Sequence, residues 1–159
     1  MRIGFGYDIH AFIPGRPLIL GGVTLPFEKG LLGHSDADVL CHAISDALLG
    51  AAALGDIGEY FPDTDSKYKD CSSLDLLCQV AEMVGEAGYE IVNIDTVIIA
   101  EAPKLSRYKK SMAETIAQAL RLDPQQISVK ATTHEKFDAT GQGNAIAVYA
   151  VALLDEKEL

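Results

Sequence analysis

The sequence is short of cations, of cysteine pairs and of long apolar runs, and each shortage removes a class of function. Thirteen lysines and arginines stand against 23 aspartates and glutamates, for a net charge of −10. Such a balance repels phosphate backbones and anionic bilayers, so neither nucleic acid nor a membrane surface is an expected partner. No apolar stretch approaches the ~20 residues that span a bilayer. The N-terminus passes straight into strand-like sequence, so no signal peptide is expected. Cys41, Cys71 and Cys78 are odd in number and form no C-x-x-C pair. They build neither a disulfide framework nor a zinc knuckle, and reduced thiols in a cytoplasmic protein are the expectation. The shortage of cations also sets up a tension. A phosphorylated substrate needs local positive charge, and a bound metal ion is a simple source of it.

What is present fits one domain over residues 1–159, with 48% hydrophobic residues to build a core. The stretch that organises it is Gly33-His34-Ser35-Asp36-Ala37-Asp38-Val39-Leu40-Cys41-His42-Ala43-Ile44-Ser45-Asp46. Ser35 reads as a helix N-cap, with Asp36 and Asp38 in the first turn. Val39, Ala43, Ile44, Ala47, Leu48 and Ala51 form a packing face at helical spacing. Asp38, His42 and Asp46 are four apart and share another face, an acid–imidazole–acid stripe suited to a cation. His34 lies just before the helix, where free N–H groups can take an anion.

Along the rest of the chain, residues 2–9 alternate as a strand, with Gly4 and Gly6 permitting close backbone approach. Asp8 and His10 are two apart, so on a strand they face the same way. With His42 they make three N/O ligands, the count of a zinc site with one open position. Residues 17–26 read as a hairpin about Gly21-Gly22, and residues 28–30 as a turn. Residues 54–65 are a loop rich in Gly, Pro and acids, a candidate binding loop whose carboxylates could grip hydroxyl groups. Ser72 or Ser73 caps a second helix whose inward residues are Leu74, Leu77, Cys78, Ala81 and Val84. Residues 90–100 form a strand and 106–121 a third helix, with Met112, Ile116, Ala119 and Leu120 inward. Asp123-Pro124 opens a short turn. Strands follow at 127–132 and 144–154, and a charged tail at 155–159. The segment between those strands, Thr133-His134-Glu135-Lys136 and Gly141-Gln142-Gly143, suits phosphate and a hard metal such as Mg2+. The order predicts an α+β fold: a mixed β-sheet layered against α-helices on one face. The bare face needs a cover, which a second copy of the chain would provide.

Five strings carry a resemblance: Gly-Tyr-Asp-Ile-His (6–10), Gly-His-Ser-Asp-Ala-Asp-Val (33–39), Asp-Ala-Leu-Leu-Gly-Ala-Ala-Ala-Leu-Gly-Asp-Ile-Gly (46–58), Phe-Pro-Asp-Thr-Asp (61–65) and Lys-Ala-Thr-Thr (130–133). In this order they resemble the 2-C-methyl-D-erythritol 2,4-cyclodiphosphate synthase family, and the likeness runs from Met1 to about Leu154. The resemblance implies a homotrimer with active sites between subunits. It implies cyclisation of 4-diphosphocytidyl-2-C-methyl-D-erythritol 2-phosphate with release of CMP, a step of the non-mevalonate isoprenoid pathway. It implies Zn2+ on Asp8, His10 and His42, and Mg2+ or Mn2+ bridging the substrate phosphates at Glu135. His34 and Thr133 match residues that stabilise the transition state, and Ser35 assists at the phosphate. Asp56, Gly58, Phe61 and Asp63 match contacts to the sugar moieties. Ala100, Pro103, Lys104, Leu105, Ala131 and Thr132 match the cytidine and α-phosphate pocket. Asp46, on helical spacing, is the candidate to orient a metal-bound imidazole.

One stretch departs from the family pattern. Ala139 stands where an aromatic is usual, and Gln142 where an arginine is usual. With Asn144 also neutral, a diphosphate in the central cavity of such a trimer would lack its usual cation. Two further readings stay open: a metal- or nucleotide-binding trimer without turnover, and a zinc hydrolase of phosphate esters. The hydrolase lacks an evident free general base.

Overall fold

The computed structural model describes residues 1–157. In chain order the elements are β1 (Arg2–Pro14), β2 (Leu18–Leu20), β3 (Val23–Leu25), β4 (Lys29–Leu31), α1 (Val39–Ala52), the single turn α2 (Ile57–Tyr60), a 3-10 turn at Ser66–Tyr68, α3 (Ser73–Glu86), β5 (Tyr89–Ile99), α4 (Lys109–Leu120), a 3-10 turn at Pro124–Gln126, β6 (Ile127–Thr132), the single turn α5 (Asp138–Gly141) and β7 (Ala145–Glu156). Five strands form one sheet in the order β4-β1-β7-β5-β6, and β2 and β3 form a separate hairpin. Among the described residues only the β5–β6 pair is parallel. Helix α1 lies on β1 and β7, with α3 beside it and α4 over β6. The expected mixed sheet covered by helices on one face is therefore present.

Period-two alternation sorts β1. Gly4 and Gly6 are buried toward α1, with Asp8 and His10 following on the same side. Ile3, Phe5, Tyr7 and Ile9 point the other way and remain exposed, joined by Tyr149 of β7. The glycines are required by contact. A Cβ on Gly4 would sit 1.9 Å from the Ala47 carbonyl oxygen, and one on Gly6 1.9 Å from that of Ala43. Here the backbone of α1 rests directly on the backbone of β1.

Several boundaries differ from the sequence reading, each for a reason outside the local pattern. Strand β1 runs on to Pro14 because residues 29–31, which overlap the turn expected at 28–30, pair with it as β4 (Phe12↔Leu31, Ile13↔Gly30, Pro14↔Lys29). Helix α1 begins at Val39, and its cap is Asp38, not Ser35. The Asp38 carboxylate accepts Cys41 N at 3.1 Å, Gly21 N at 2.9 Å and Gly22 N at 2.7 Å, so one buried acid closes the helix and fastens the β2–β3 hairpin to it. Asp38 thus does not share the cation-facing stripe with His42. Nor is the head of the helix an open anion site, because this carboxylate fills it. In α3 the cap is Ser72 and the buried side chains are Ser73, Leu76, Leu77, Val80 and Val84, a face rotated from the expected one. In α4, Met112 and Ile116 are buried as expected, but the third buried side chain is Ala117 rather than Ala119 or Leu120. The acidic loop contains α2, capped by Asp56. Of the charged tail, Glu158 and Leu159 lie outside the described residues. Among the described residues no helix is long and apolar enough to cross a membrane.

Replacing Gly6 by Ala should push α1 off β1. The expected result in denaturant titration is a loss of about 3 kcal/mol, the upper part of the range for overpacking.

Candidate functional site

The close seat of α1 on β1 sets the site. His42 precedes Ala43, whose carbonyl meets Gly6, so its ring comes down beside the next two residues of β1 on that face, Asp8 and His10. His10 Nε2 lies 2.9 Å and His42 Nδ1 3.1 Å from Asp8 Oδ2, and the two ring nitrogens are 3.2 Å apart. These three residues form a group that could hold a metal ion. A tetrahedral ion with bonds of about 2.0–2.1 Å spaces its ligand atoms by about 3.3 Å, close to this triangle. The donor types, two imidazoles and one carboxylate, fit the same chemistry.

Electrostatics point the same way. Burial pushes the Asp8 carboxyl up, but the imidazoles of His10 and His42, each with a ring nitrogen within 3.1 Å, outweigh it and hold the group well below the usual carboxylate range. Burial likewise opposes charge on His10, yet the Asp8 carboxylate beside it leaves its pKa raised. The pocket therefore favours positive charge next to Asp8. His10 Nδ1 donates to the Leu32 carbonyl at 2.6 Å, which leaves Nε2 facing the cluster.

Two clefts contain most of the predicted residues. The first, about 220 Å³, is lined by His10, His34, Ser35, His42, Phe61 and Asp63 among others. His34 donates from Nε2 to the Asp65 carbonyl at 2.9 Å, which ties it to the acidic loop. The second, about 410 Å³, is lined by Ala100, Pro103, Lys104, Leu105, Ala131, Thr132 and Thr133, with Lys109 and Glu101. It sits where the parallel strands β5 and β6 end. The pairing row Ile9–Ala147–Ile99–Thr132 crosses four strands, so the clefts share one end of the sheet. Three strand spacings, about 14 Å, separate them. A larger hollow of about 460 Å³ between α3 and α4 holds none of the predicted residues.

Other predicted residues fall outside these walls. Asp56 accepts Glu59 N as the cap of α2, and Gly58 is exposed within that turn. Glu135 is exposed at φ 50°, and its N–H donates to Thr133 Oγ1 at 3.2 Å. The departing segment after it closes on Asp138, which accepts Thr140 N at 2.8 Å, Gly141 N at 3.1 Å and the His134 imidazole. Asp46 does not reach an imidazole nitrogen. Its carboxylate accepts Ile57 N at 2.8 Å and anchors α2. His42 Nε2 meets hydroxyls instead, Ser73 Oγ at 2.8 Å and Ser35 Oγ at 3.2 Å. Sequence reasoning passed over Ser73 as a spare cap; the signal was a serine pair at a helix start that needs only one. It also passed over Arg16, whose guanidinium donates to the Gly33 and Ser35 carbonyls on either side of His34. No local pattern marks that contact.

Comparison with known proteins agrees with this geometry. The family model described as the YgbB family matches residues 1–155. A 2-C-methyl-D-erythritol 2,4-cyclodiphosphate synthase of Pelotomaculum thermopropionicum is 56% identical over 154 residues, covering 97% of this chain and 95% of its own length. The solved structure titled as a CDP complex of IspF from Plasmodium falciparum is similar at TM-score 0.86 and 38% identity, over 99% of this chain and 97% of that one. The bifunctional IspDF of Campylobacter jejuni matches at TM-score 0.96 and 46% identity, over 99% of this chain and 42% of that longer one. With a strand-borne Asp-x-His, a helix-borne His and matches along nearly its whole length, this chain belongs to the YgbB family, that of the 2-C-methyl-D-erythritol 2,4-cyclodiphosphate synthases.

Proposed function

We propose that this chain converts 4-diphosphocytidyl-2-C-methyl-D-erythritol 2-phosphate to 2-C-methyl-D-erythritol 2,4-cyclodiphosphate and CMP, as a phosphorus–oxygen lyase of the non-mevalonate isoprenoid pathway. The observation that carries the reading is the convergence of Asp8, His10 and His42 at one end of a sheet whose other half ends in a cleft suited to a nucleotide. That cleft has apolar walls from Ala100, Pro103 and Leu105, with Lys104 and Lys109 to meet phosphate oxygens. The CDP bound by the relative's structure supports a cytidine nucleotide there.

In the reaction an oxygen of the substrate's 2-phosphate forms a bond to the β-phosphorus. The bond from that phosphorus to the bridging oxygen breaks, and CMP leaves with its electron pair. No protein nucleophile is needed, so the chain contributes position and charge. Zn2+ on Asp8, His10 and His42 would polarise a β-phosphate oxygen, and Mg2+ or Mn2+ at Glu135 would neutralise charge on the diphosphate. His34 and Thr133 stabilise the charge that builds on the phosphate oxygens. Ser35 steadies the phosphate, while Asp56, Gly58, Phe61 and Asp63 hold the sugar hydroxyls and exclude water. Lys104, Thr132 and Ala131 keep the cytidine half in place.

One subunit separates its two clefts by about 14 Å, so we infer that the working unit is a homotrimer in which the nucleotide cleft of one copy faces the metal cleft of the next. The outward row Ile3, Phe5, Tyr7, Ile9 and Tyr149 supports this, since an apolar strip of that extent calls for a protein cover. The three unpaired cysteines support a reducing, cytoplasmic setting.

Incubation with the cytidyl substrate and Mg2+ should release CMP and a cyclic diphosphate, and zinc chelation should stop it. Substrate and zinc binding without CMP release would favour a binder and implicate the departing segment 137–145; release of inorganic phosphate would favour a hydrolase. His42→Ala should bind no zinc by metal analysis, stay folded by circular dichroism, and lose more turnover than the roughly 100-fold typical for losing a ligand's hydrogen-bond partner. Phe5→Glu should reduce a particle of three chains to single chains in sedimentation, with CMP release lost in parallel.

A further inference from the structure

We propose that Asp36 and Ser73 are positioning residues that hold His42 in one tautomer, Nε2 protonated and Nδ1 free to bind the metal. The proposal rests on the metal-site reading above and adds two residues to it.

The direction of each hydrogen bond follows from counting protons. Asp36 Oδ1 accepts Asp38 N at 3.1 Å, and Oδ2 accepts Ser73 N at 3.1 Å. Both carboxylate oxygens are thus committed as acceptors. Ser73 Oγ lies against Oδ1, and its single hydroxyl proton goes there. Only lone pairs remain on Ser73 Oγ to face His42 Nε2 at 2.8 Å, so that nitrogen carries the proton and donates it. His42 Nδ1 is then unprotonated, and it is the atom turned toward Asp8 Oδ2 and His10 Nε2. Ser73 is 1% exposed, so water does not compete for its lone pairs. Ser35 Oγ, 3.1 Å from Ser73 Oγ, has its own lone pair committed to Ala37 N and can point its proton at Ser73.

The contrast with His10 explains why two residues are needed. His10 Nδ1 faces a backbone carbonyl, which can only accept, so its tautomer is fixed by a single contact. His42 Nε2 faces a hydroxyl, which can donate or accept. Left alone, Ser73 could give its proton to Nε2 and move the imidazole proton to Nδ1, where it would block the metal. Asp36 removes that choice. Residues 33–36, which carry His34 and Ser35, and the start of α3, which carries Ser73, are tied together by the same carboxylate.

The test is metal affinity, read by Zn2+ competition against a chromogenic chelator in the full chain. Ser73→Ala is expected to weaken binding 10- to 100-fold, the usual cost of removing a ligand's hydrogen-bond partner. Asp36→Ala should weaken it as well, and a Co2+-loaded Ser73→Ala protein should show an altered absorption spectrum. Ser72→Ala, which removes only the cap of α3, should lower Tm yet keep parental affinity. An affinity within about twofold of the parent for Ser73→Ala would overturn the proposal. In metal-free parent protein at pH 8.5, nitrogen NMR should find the His42 proton on Nε2; a proton on Nδ1 would overturn it even if the Ser73 variant fails to fold. Equal zinc affinity in His42→Ala and the parent would instead overturn the metal-site reading beneath it.

Discussion

The contact between the backbone of α1 and the backbone of β1 is the constraint on which the rest of the molecule depends. Two glycines on one face of the strand leave no side chains between helix and sheet, so the carbonyls of Ala43 and Ala47 lie where Cβ atoms would be. That seats the helix closer to the sheet than interposed side chains would allow. The saving is spent at the end of the strand, where His42 can share a ligand triangle with Asp8 and His10. With ordinary side chains at Gly4 and Gly6, the same three residues would stand too far apart to serve one ion.

Around this contact the chain uses one buried and two half-buried carboxylates as fasteners. Asp38 joins the hairpin β2–β3 to the start of α1, Asp46 joins α1 to α2, and Asp36 joins the His34 loop to α3. Each accepts backbone N–H groups that have no helical or strand partner. Arg16 closes the same loop from the other side through two carbonyls. In a protein so rich in acids, much of the negative charge near the site is employed on backbone donors, and Asp8 is the carboxylate aimed at the cluster. This organisation leaves His34 and Ser35 on a loop pinned at both flanks.

Legibility in the sequence followed the range of the interactions. The pairing of Asp8 with His10 was readable because strand alternation is local, and the roles of Gly4 and Gly6 were readable because glycine in a strand has few other uses. The β2–β3 hairpin and strand β6 were marked by their own residues. The cap of α1 was misplaced by three residues because Ser35, Asp36 and Asp38 are all good caps by local rule. What decided between them was two unpartnered N–H groups at Gly21 and Gly22, brought in by tertiary packing. Strand β4 was missed for a like reason, since three residues become a strand only by pairing with the far end of β1. Asp46 had the right spacing to serve His42, but Ile57 N claimed it. The involvement of Ser73 depended on α3 docking beside α1, which no spacing along the chain reveals.

Strand β1 carries two unrelated demands on alternate residues: Asp8 and His10 face the helix, while Tyr7 and Ile9 face outward. Its long antiparallel pairing with β7 fixes which residue faces which way. Inserting or deleting one residue ahead of Asp8 would turn every later side chain over, sending the ligands outward and the apolar row inward. Point substitutions can tune either face separately, but length changes cannot. Along β1, descent can therefore vary the outward residues, while the inward Gly4, Gly6, Asp8 and His10 and the length of the strand have almost no freedom.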